Sequence, residues 1–174
     1  MRYLKIPLDR VGVLIGPHGD TKKYIEEHAH VSLDIDSDIG EISIDDRTSD
    51  DPLMIFKVEN IVRAIGRGFS PEHAFRLFSD DADFYLFDIY EYVGKKPTHV
   101  KRVKSRVIGS GGKTKRILEE LTQADISVYG HTIAVIADIF FMDIVKKALD
   151  MLLNGSKHAT VYQYVERSMK QLRG

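Results

Sequence analysis

Two short glycine-framed turns carry the clearest chemical signal in this chain of 174 residues. The first is Ile15-Gly-Pro-His-Gly-Asp-Thr-Lys-Lys-Tyr-Ile-Glu-Glu27 and the second is Ile108-Gly-Ser-Gly-Gly-Lys-Thr-Lys-Arg-Ile-Leu-Glu-Glu120. They lie 93 residues apart and share seven of thirteen positions, both framing glycines among them. Glycine reaches backbone angles that other residues resist and carries no Cβ, so a sugar-phosphate chain can press against the main chain there. A helix that starts directly after such a turn aims free N–H groups and its positive dipole end at the phosphates. Cationic side chains complete the arrangement: Lys22 and Lys23 after the first turn, and Lys113, Lys115 and Arg116 after the second.

Charge separates the two copies. The net charge of −1 hides a sum of −5 over residues 1–80 (10 basic, 15 acidic) and of +4 over residues 81–174 (15 basic, 11 acidic). From Lys95 to Arg116 there are nine basic residues and no acidic one, a run that includes Lys101, Arg102, Lys104 and Arg106. Such a run suits a polyanion. The candidate RNA-contacting residues are therefore Gly109, Ser110, Gly111, Gly112, Lys113, Lys115 and Arg116, with Lys101, Arg102, Lys104 and Arg106 behind them. Gly16, Pro17, His18, Gly19, Lys22 and Lys23 form the weaker set, because they sit in the acidic half and Pro17 has no N–H to offer. The second copy is expected to carry most of the RNA affinity.

Other chemistries fit less well. Gly112-Lys-Thr114 imitates a phosphate-binding P-loop, but Val107 stands where that motif needs glycine and the residues before it look helical. A nucleotide hydrolase is therefore a remote alternative. Asp34, Asp36, Asp38 and Gly40 resemble a calcium loop with the glycine one place late and Asp45 instead of Glu at position twelve. The seven histidines lack zinc spacing, and with no cysteine there is neither a thiolate ligand nor a thiol nucleophile. No catalytic residue, metal or cofactor is expected. Absence of cysteine fits the cytoplasm, the start of the chain lacks the apolar core of a signal peptide, and no apolar run is long enough to span a membrane.

The elements that hold the turns repeat as well. In the first copy an alternating strand covers residues 3–8 and a short apolar stretch residues 11–15. A helix follows over 20–29 with Asp20 as N-cap, then strands over 31–35 and 41–45, and a helix over 52–66. The second copy reads as a strand over 84–93, a basic helix over 98–108, a helix over 113–122, strands over 126–129 and 132–136, and an apolar helix over 139–153. A short helix over 71–78 connects the copies, and a last helix over 157–172 is expected to dock across both. The aromatics Tyr85, Phe87 and Tyr90 read as core. The fold class is α+β, with domains at 1–79 and 80–174.

A β-α-α-β-β-α unit with Gly-x-x-Gly after its first helix resembles a type I KH domain, a module that grips about four nucleotides of single-stranded RNA. Two such units joined by Arg63-Ala-Ile-Gly-Arg-Gly-Phe-Ser-Pro71, with Arg106-Val-Ile-Gly-Ser-Gly-Gly-Lys-Thr114 in the second, resemble archaeal members of the partner-of-Nob-one family of ribosome-assembly proteins. That resemblance implies a non-catalytic adaptor bound near the 3′ end of the precursor small-subunit (16S) rRNA. It implies two protein partners, the Nob-one endonuclease and the alpha subunit of translation initiation factor two. A KH protein of translation regulation or RNA decay is the alternative.

Overall fold

The computed structural model describes residues 1–174, which divide into two units, Met1–Ser79 and Asp80–Gly174. The first unit runs β1 (Arg2–Lys5), α1 (Leu8–Ile15), α2 (Asp20–Ala29), β2 (Ser32–Asp36), β3 (Glu41–Asp45), α3 (Met54–Gly66), α4 (Pro71–Ala74) and a 3₁₀ turn over Phe75–Phe78. The second runs β4 (Ala82–Asp88), α5 (Tyr90–Val93), α6 (Pro97–Ile108), α7 (Lys113–Thr122), β5 (Asp125–Tyr129), β6 (Thr132–Asp138), α8 (Met142–Leu153) and α9 (His158–Arg173). The β-α-α-β-β-α order is thus present twice, as the spacing implies. Each unit closes on a three-stranded antiparallel sheet with its last strand in the centre, β1-β3-β2 and β4-β6-β5.

The central strand of each sheet supplies the core. Ile42 and Ile44 of β3 are buried completely, as are Ile133 through Ala137 of β6. Helices lie over these faces, Ile25 of α2 and Val58, Ile61 and Val62 of α3 in the first unit, and Val107, Leu118 and Leu149 in the second. The final helix α9 gives its buried stripe, Val161, Val165 and Met169, to the core of the second unit rather than to a seam across both copies. Its spacing of four residues is that of an ordinary amphipathic core helix.

Several boundaries differ from those the sequence pattern predicts, each for a local reason. The strand over 84–93 ends at Asp88, whose Oδ1 accepts the Tyr90 N–H at 3.0 Å and turns the chain into α5. The helix over 139–153 starts only at Met142, because β6 runs on to Asp138 and its carboxylate accepts the Phe140 N–H at 2.9 Å. Both are aspartate side chains competing with the regular ladder. The residues over 11–15 belong to a full helix, α1. Asp20 is not an N-cap: Gly19, at φ 76°, takes that place and Asp20 lies inside the first turn.

An ion-pair cluster ties β1 to α3. Glu59, almost fully buried, accepts from Arg2 Nε at 2.6 Å and Arg2 Nη2 at 3.2 Å, and from Arg63 at 2.7 Å. The Arg2 hydrogen bond is the main reason its carboxyl stays below the ordinary glutamate range, against the opposing effect of burial and with help from Arg63. A carboxyl held low contributes stability above its unfolded pKa and loses it as pH falls through the folded value. Arg2→Ala is expected to lower the urea midpoint of the first unit at pH 7, with the deficit vanishing once acid has protonated Glu59 in both proteins.

Candidate nucleic-acid interface

The two glycine turns have the same backbone geometry. Gly16 and Gly109 sit at φ 77° with ψ 172° and 171°, and Gly19 and Gly112 at φ 76° and 78° with ψ 13°. Between them His18 (φ 55°) and Gly111 (φ 59°) adopt the same left-handed conformation.

Most of the identities between the copies have structural causes. A Cβ on Gly16 or Gly109 would stand 2.3 Å from the hydroxyl oxygen of Thr21 or Thr114, and both threonines are buried. Glu26 pairs with Lys22 at 3.2 Å and accepts the Leu33 N–H of β2 at 2.9 Å. Glu119 does the same with Lys115 at 3.1 Å and with Ile126 of β5 at 2.9 Å. Each glutamate thereby ties the helix after the turn to the neighbouring strand. The second glycine of each turn is different. Added Cβ atoms at Gly19, Gly111 or Gly112 would meet nothing within 4 Å, so these backbones face open space.

The surroundings of the two open turns are not equivalent. In the first copy Pro17 stands where the second has Ser110, and Asp20 stands where the second has Lys113. The cavity beside the first turn, about 450 Å³, has the carboxylates of Asp20 and Glu72 and the rings of Tyr24 and Phe75 on its wall. His18 and Lys23 are exposed. In the second copy Lys101, Arg102, Lys104, Lys113 and Arg116 form no ion pair, so their charges are available to a ligand. Lys101, Arg102 and Ser110 border a cavity of about 540 Å³ along one side of α6, and Lys101 and Lys104 border another of about 490 Å³ along the other side.

Two sequence candidates have other duties. Lys115 is engaged with Glu119, as Lys22 is with Glu26. Arg106 commits its guanidinium to the carbonyls of Leu152, at 3.4 Å, and Ser156, capping the end of α8. Arg10 performs the same task in the first unit, donating to Ile65 O at 2.8 Å and Phe69 O at 2.9 Å. These two arginines are not at equivalent positions of the repeat, since residue 103, not 106, lies 93 places after Arg10. A positive run alone cannot tell a helix-capping arginine from a free one. Sequence pattern also gave no sign of the Tyr90 and His131 rings, which stack in parallel 4.1 Å apart beside α6. Phe87 is core as expected, but Tyr85 is partly exposed beneath Lys146 and Tyr90 lies on a cavity wall.

Comparison with known proteins agrees with this architecture. Residues 1–66 match the KH domain model, and residues 83–170 match that of the eukaryotic-type KH domain, KH-domain type I. The chain is 45% identical to a KH domain-containing protein of Methanocaldococcus jannaschii, over 99% of this chain and 76% of that one. Dim2p from Pyrococcus horikoshii OT3 is 42% identical, with a TM-score of 0.88 over 95% of this chain and 98% of that one. A chain in the a/eIF2alpha–aDim2p–rRNA complex from the same organism is also 42% identical, with a TM-score of 0.91 over 98% and 94%. A protein of unknown function from Aeropyrum pernix gives a TM-score of 0.94 at 34% identity, over 99% and 92%. With both KH units matched and Dim2p aligned along nearly its whole length, the chain belongs to the partner-of-Nob-one, or Dim2p, family of proteins built from two tandem type I KH domains.

Proposed function

We propose that this protein is a single-stranded RNA-binding adaptor of small-subunit ribosome biogenesis, without catalysis of its own, that binds near the 3′ end of precursor 16S rRNA in the cytoplasm. The observation that carries the reading is the second glycine turn: an open backbone at Gly111 and Gly112, at the N-terminus of α7, ringed by cations that have no partner within the protein. Phosphates rest on Gly109 to Gly112, with Lys113, Arg116, Lys101, Arg102 and Lys104 neutralising them, and bases turn into the cleft beside α6. Lys115 orients α7 through Glu119 and reaches the strand only at its margin. The first turn, Gly16 to Gly19 with Lys22 and Lys23, contributes less, because Asp20 repels phosphate at the helix end that should attract it. The Pyrococcus complex of aDim2p with rRNA and a/eIF2alpha supports rRNA and the alpha subunit of initiation factor two as partners here, and family membership supports the Nob-one endonuclease. No helix is long and apolar enough to cross a membrane.

Crosslinking of the protein to cellular RNA, followed by sequencing of the adducts, tests this directly. Enrichment at the 3′ end of small-subunit rRNA is expected. An even spread over messenger RNAs would replace ribosome assembly with a role in translation or decay.

A further inference from the structure

The helix after each glycine turn is covered differently in the two units. In the second unit α9 lies against α7, and Tyr162 Oη donates to the buried Thr114 hydroxyl at 3.1 Å. In the first unit α2 meets the rings of the 3₁₀ turn over Phe75–Phe78 instead. Tyr24 stacks on Phe75 with ring centres 4.5 Å apart and 28° between planes, and His28 meets Phe78 at 4.3 Å. A cavity of about 450 Å³ opens at the N-terminal end of α2, with Tyr24 and Phe75 on its wall. Its size lies within the roughly 300–1,000 Å³ of ligand pockets.

Three polar groups on this wall lack partners. The carboxylates of Asp20 and Glu72 form no ion pair or hydrogen bond within the chain, whereas those of Glu26, Asp45 and Glu59 are all paired. Thr21 is only 9% exposed, lines the cavity, and has no hydrogen-bond partner for its hydroxyl. Tyr24 stays 46% exposed although it is stacked. The second copy has Ser110, Lys113 and Ile117 where this wall has Pro17, Asp20 and Tyr24. One backbone geometry thus carries a hydroxyl, an ammonium and an aliphatic chain in one unit. In the other it carries a proline, a carboxylate and an aromatic ring.

We propose that this cavity is a protein-docking site that receives an arginine side chain of a partner protein. It stands independently of the RNA clamp on the second unit. A guanidinium is planar and weakly hydrated, so it lies flat against an aromatic ring and gives its N–H groups to carboxylates at its edge. Tyr24 and Phe75 supply the rings, Asp20 and Glu72 the carboxylates, and the Thr21 hydroxyl a further acceptor. A lysine ammonium has no flat face to stack. An RNA strand would bring its phosphates against two unneutralised carboxylates. The charge of −5 over residues 1–80 draws a basic partner to this unit, as the +4 of residues 81–174 draws RNA to the other.

Amide chemical shifts of the full, isotope-labelled chain test the site, with acetyl-Gly-Arg-Gly-amide as the probe. Saturable shifts are expected at Asp20, Thr21, Tyr24 and Glu72. The lysine analogue should bind about five-fold more weakly, and the neutral citrulline analogue not at all. Glu72→Gln and Tyr24→Leu should each weaken the arginine peptide about five-fold and leave single-stranded RNA affinity within about two-fold. Equal affinity for the arginine and lysine peptides, or unsaturated shifts spread over the acidic surface, would overturn the proposal, because charge alone would then explain binding. Tighter binding of free L-arginine would overturn it in favour of a metabolite site. Displacement of the peptide by a single-stranded RNA hexamer, or a matching loss of RNA affinity in the variants, would overturn it in favour of a nucleic-acid site. Unaltered peptide affinity in Glu72→Gln, where an exposed side chain is exchanged without disturbing the fold, would also overturn it.

Discussion

Replacing Gly111 and Gly112 together by aspartate is expected to weaken single-stranded RNA binding by more than ten-fold while leaving the second unit folded. Added side chains at both positions enter open space, so no packing is disturbed. The backbone angle is tolerable at residue 111, because the equivalent His18 already adopts φ 55° in the first turn. Aspartate is among the residues that visit the left-handed region at modest cost. What changes is the field: two anions stand where phosphates must approach, at the end of α7 whose dipole otherwise favours them. Removing a charged hydrogen bond costs about 1.5–3 kcal/mol, so one alone accounts for the expected factor. Because fewer phosphates remain neutralised, the slope of log affinity against log salt should become shallower, by about 0.7 for each phosphate of a single strand that is no longer neutralised. An RNA titration with unchanged midpoint and slope, in a variant with normal thermal unfolding, would refute the placement of the strand on this turn.

Gly109→Ala should act in the opposite way, through the fold. At φ 77° and ψ 171° its backbone lies in a region that is essentially reserved for glycine. The new methyl would also stand 2.3 Å from Thr114 Oγ1 and 2.7 Å from Thr114 N. That threonine cannot retreat, because it is buried and accepts a hydrogen bond from Tyr162 Oη at 3.1 Å. Strain and overpacking together are expected to cost about 2–5 kcal/mol, seen as an earlier urea midpoint for the second unit. Gly112→Ala meets only the left-handed penalty and should cost about 1–2 kcal/mol. Equal destabilisation at 109 and 112 would contradict the close approach of Gly109 to Thr114. Gly16→Ala, facing Thr21 at the same 2.3 Å, is the matched substitution in the first unit.

The repeat made most of this architecture readable in advance. Glycine at 16 and 109 with threonine five residues on is a close approach written twice, and the paired Lys and Glu that follow are an i, i+4 ion pair written twice. Alternating strands around one turn residue fixed the order of elements. Side chains whose role depends on a distant partner could not be read. Arg106 looked like its neighbours in the basic run, and only the end of α8, 46 and 50 residues later, reveals it as a cap. Tyr90 and His131 are 41 residues apart in sequence and meet because β4 pairs with β6, with Asp88 opposite Thr132. The strand end at Asp88 was missed because the hydrophobic pattern continues through it, and the start of α8 was placed early because Ile139 and Phe140 continue the apolar pattern after Asp138, while at each place a single carboxylate redirects the backbone.

The placement of α9 has a bearing on where the second domain stops. A fragment ended at Gly155 would carry every element that defines the motif. It would also remove Val161, Val165 and Met169 from the core cluster that they share with α8. It would deprive Thr114 of the Tyr162 hydroxyl beneath the glycine turn. The smallest autonomous form of this RNA-gripping module is therefore longer than its signature, and the tail that motif-based trimming would discard is part of what keeps the grip in shape.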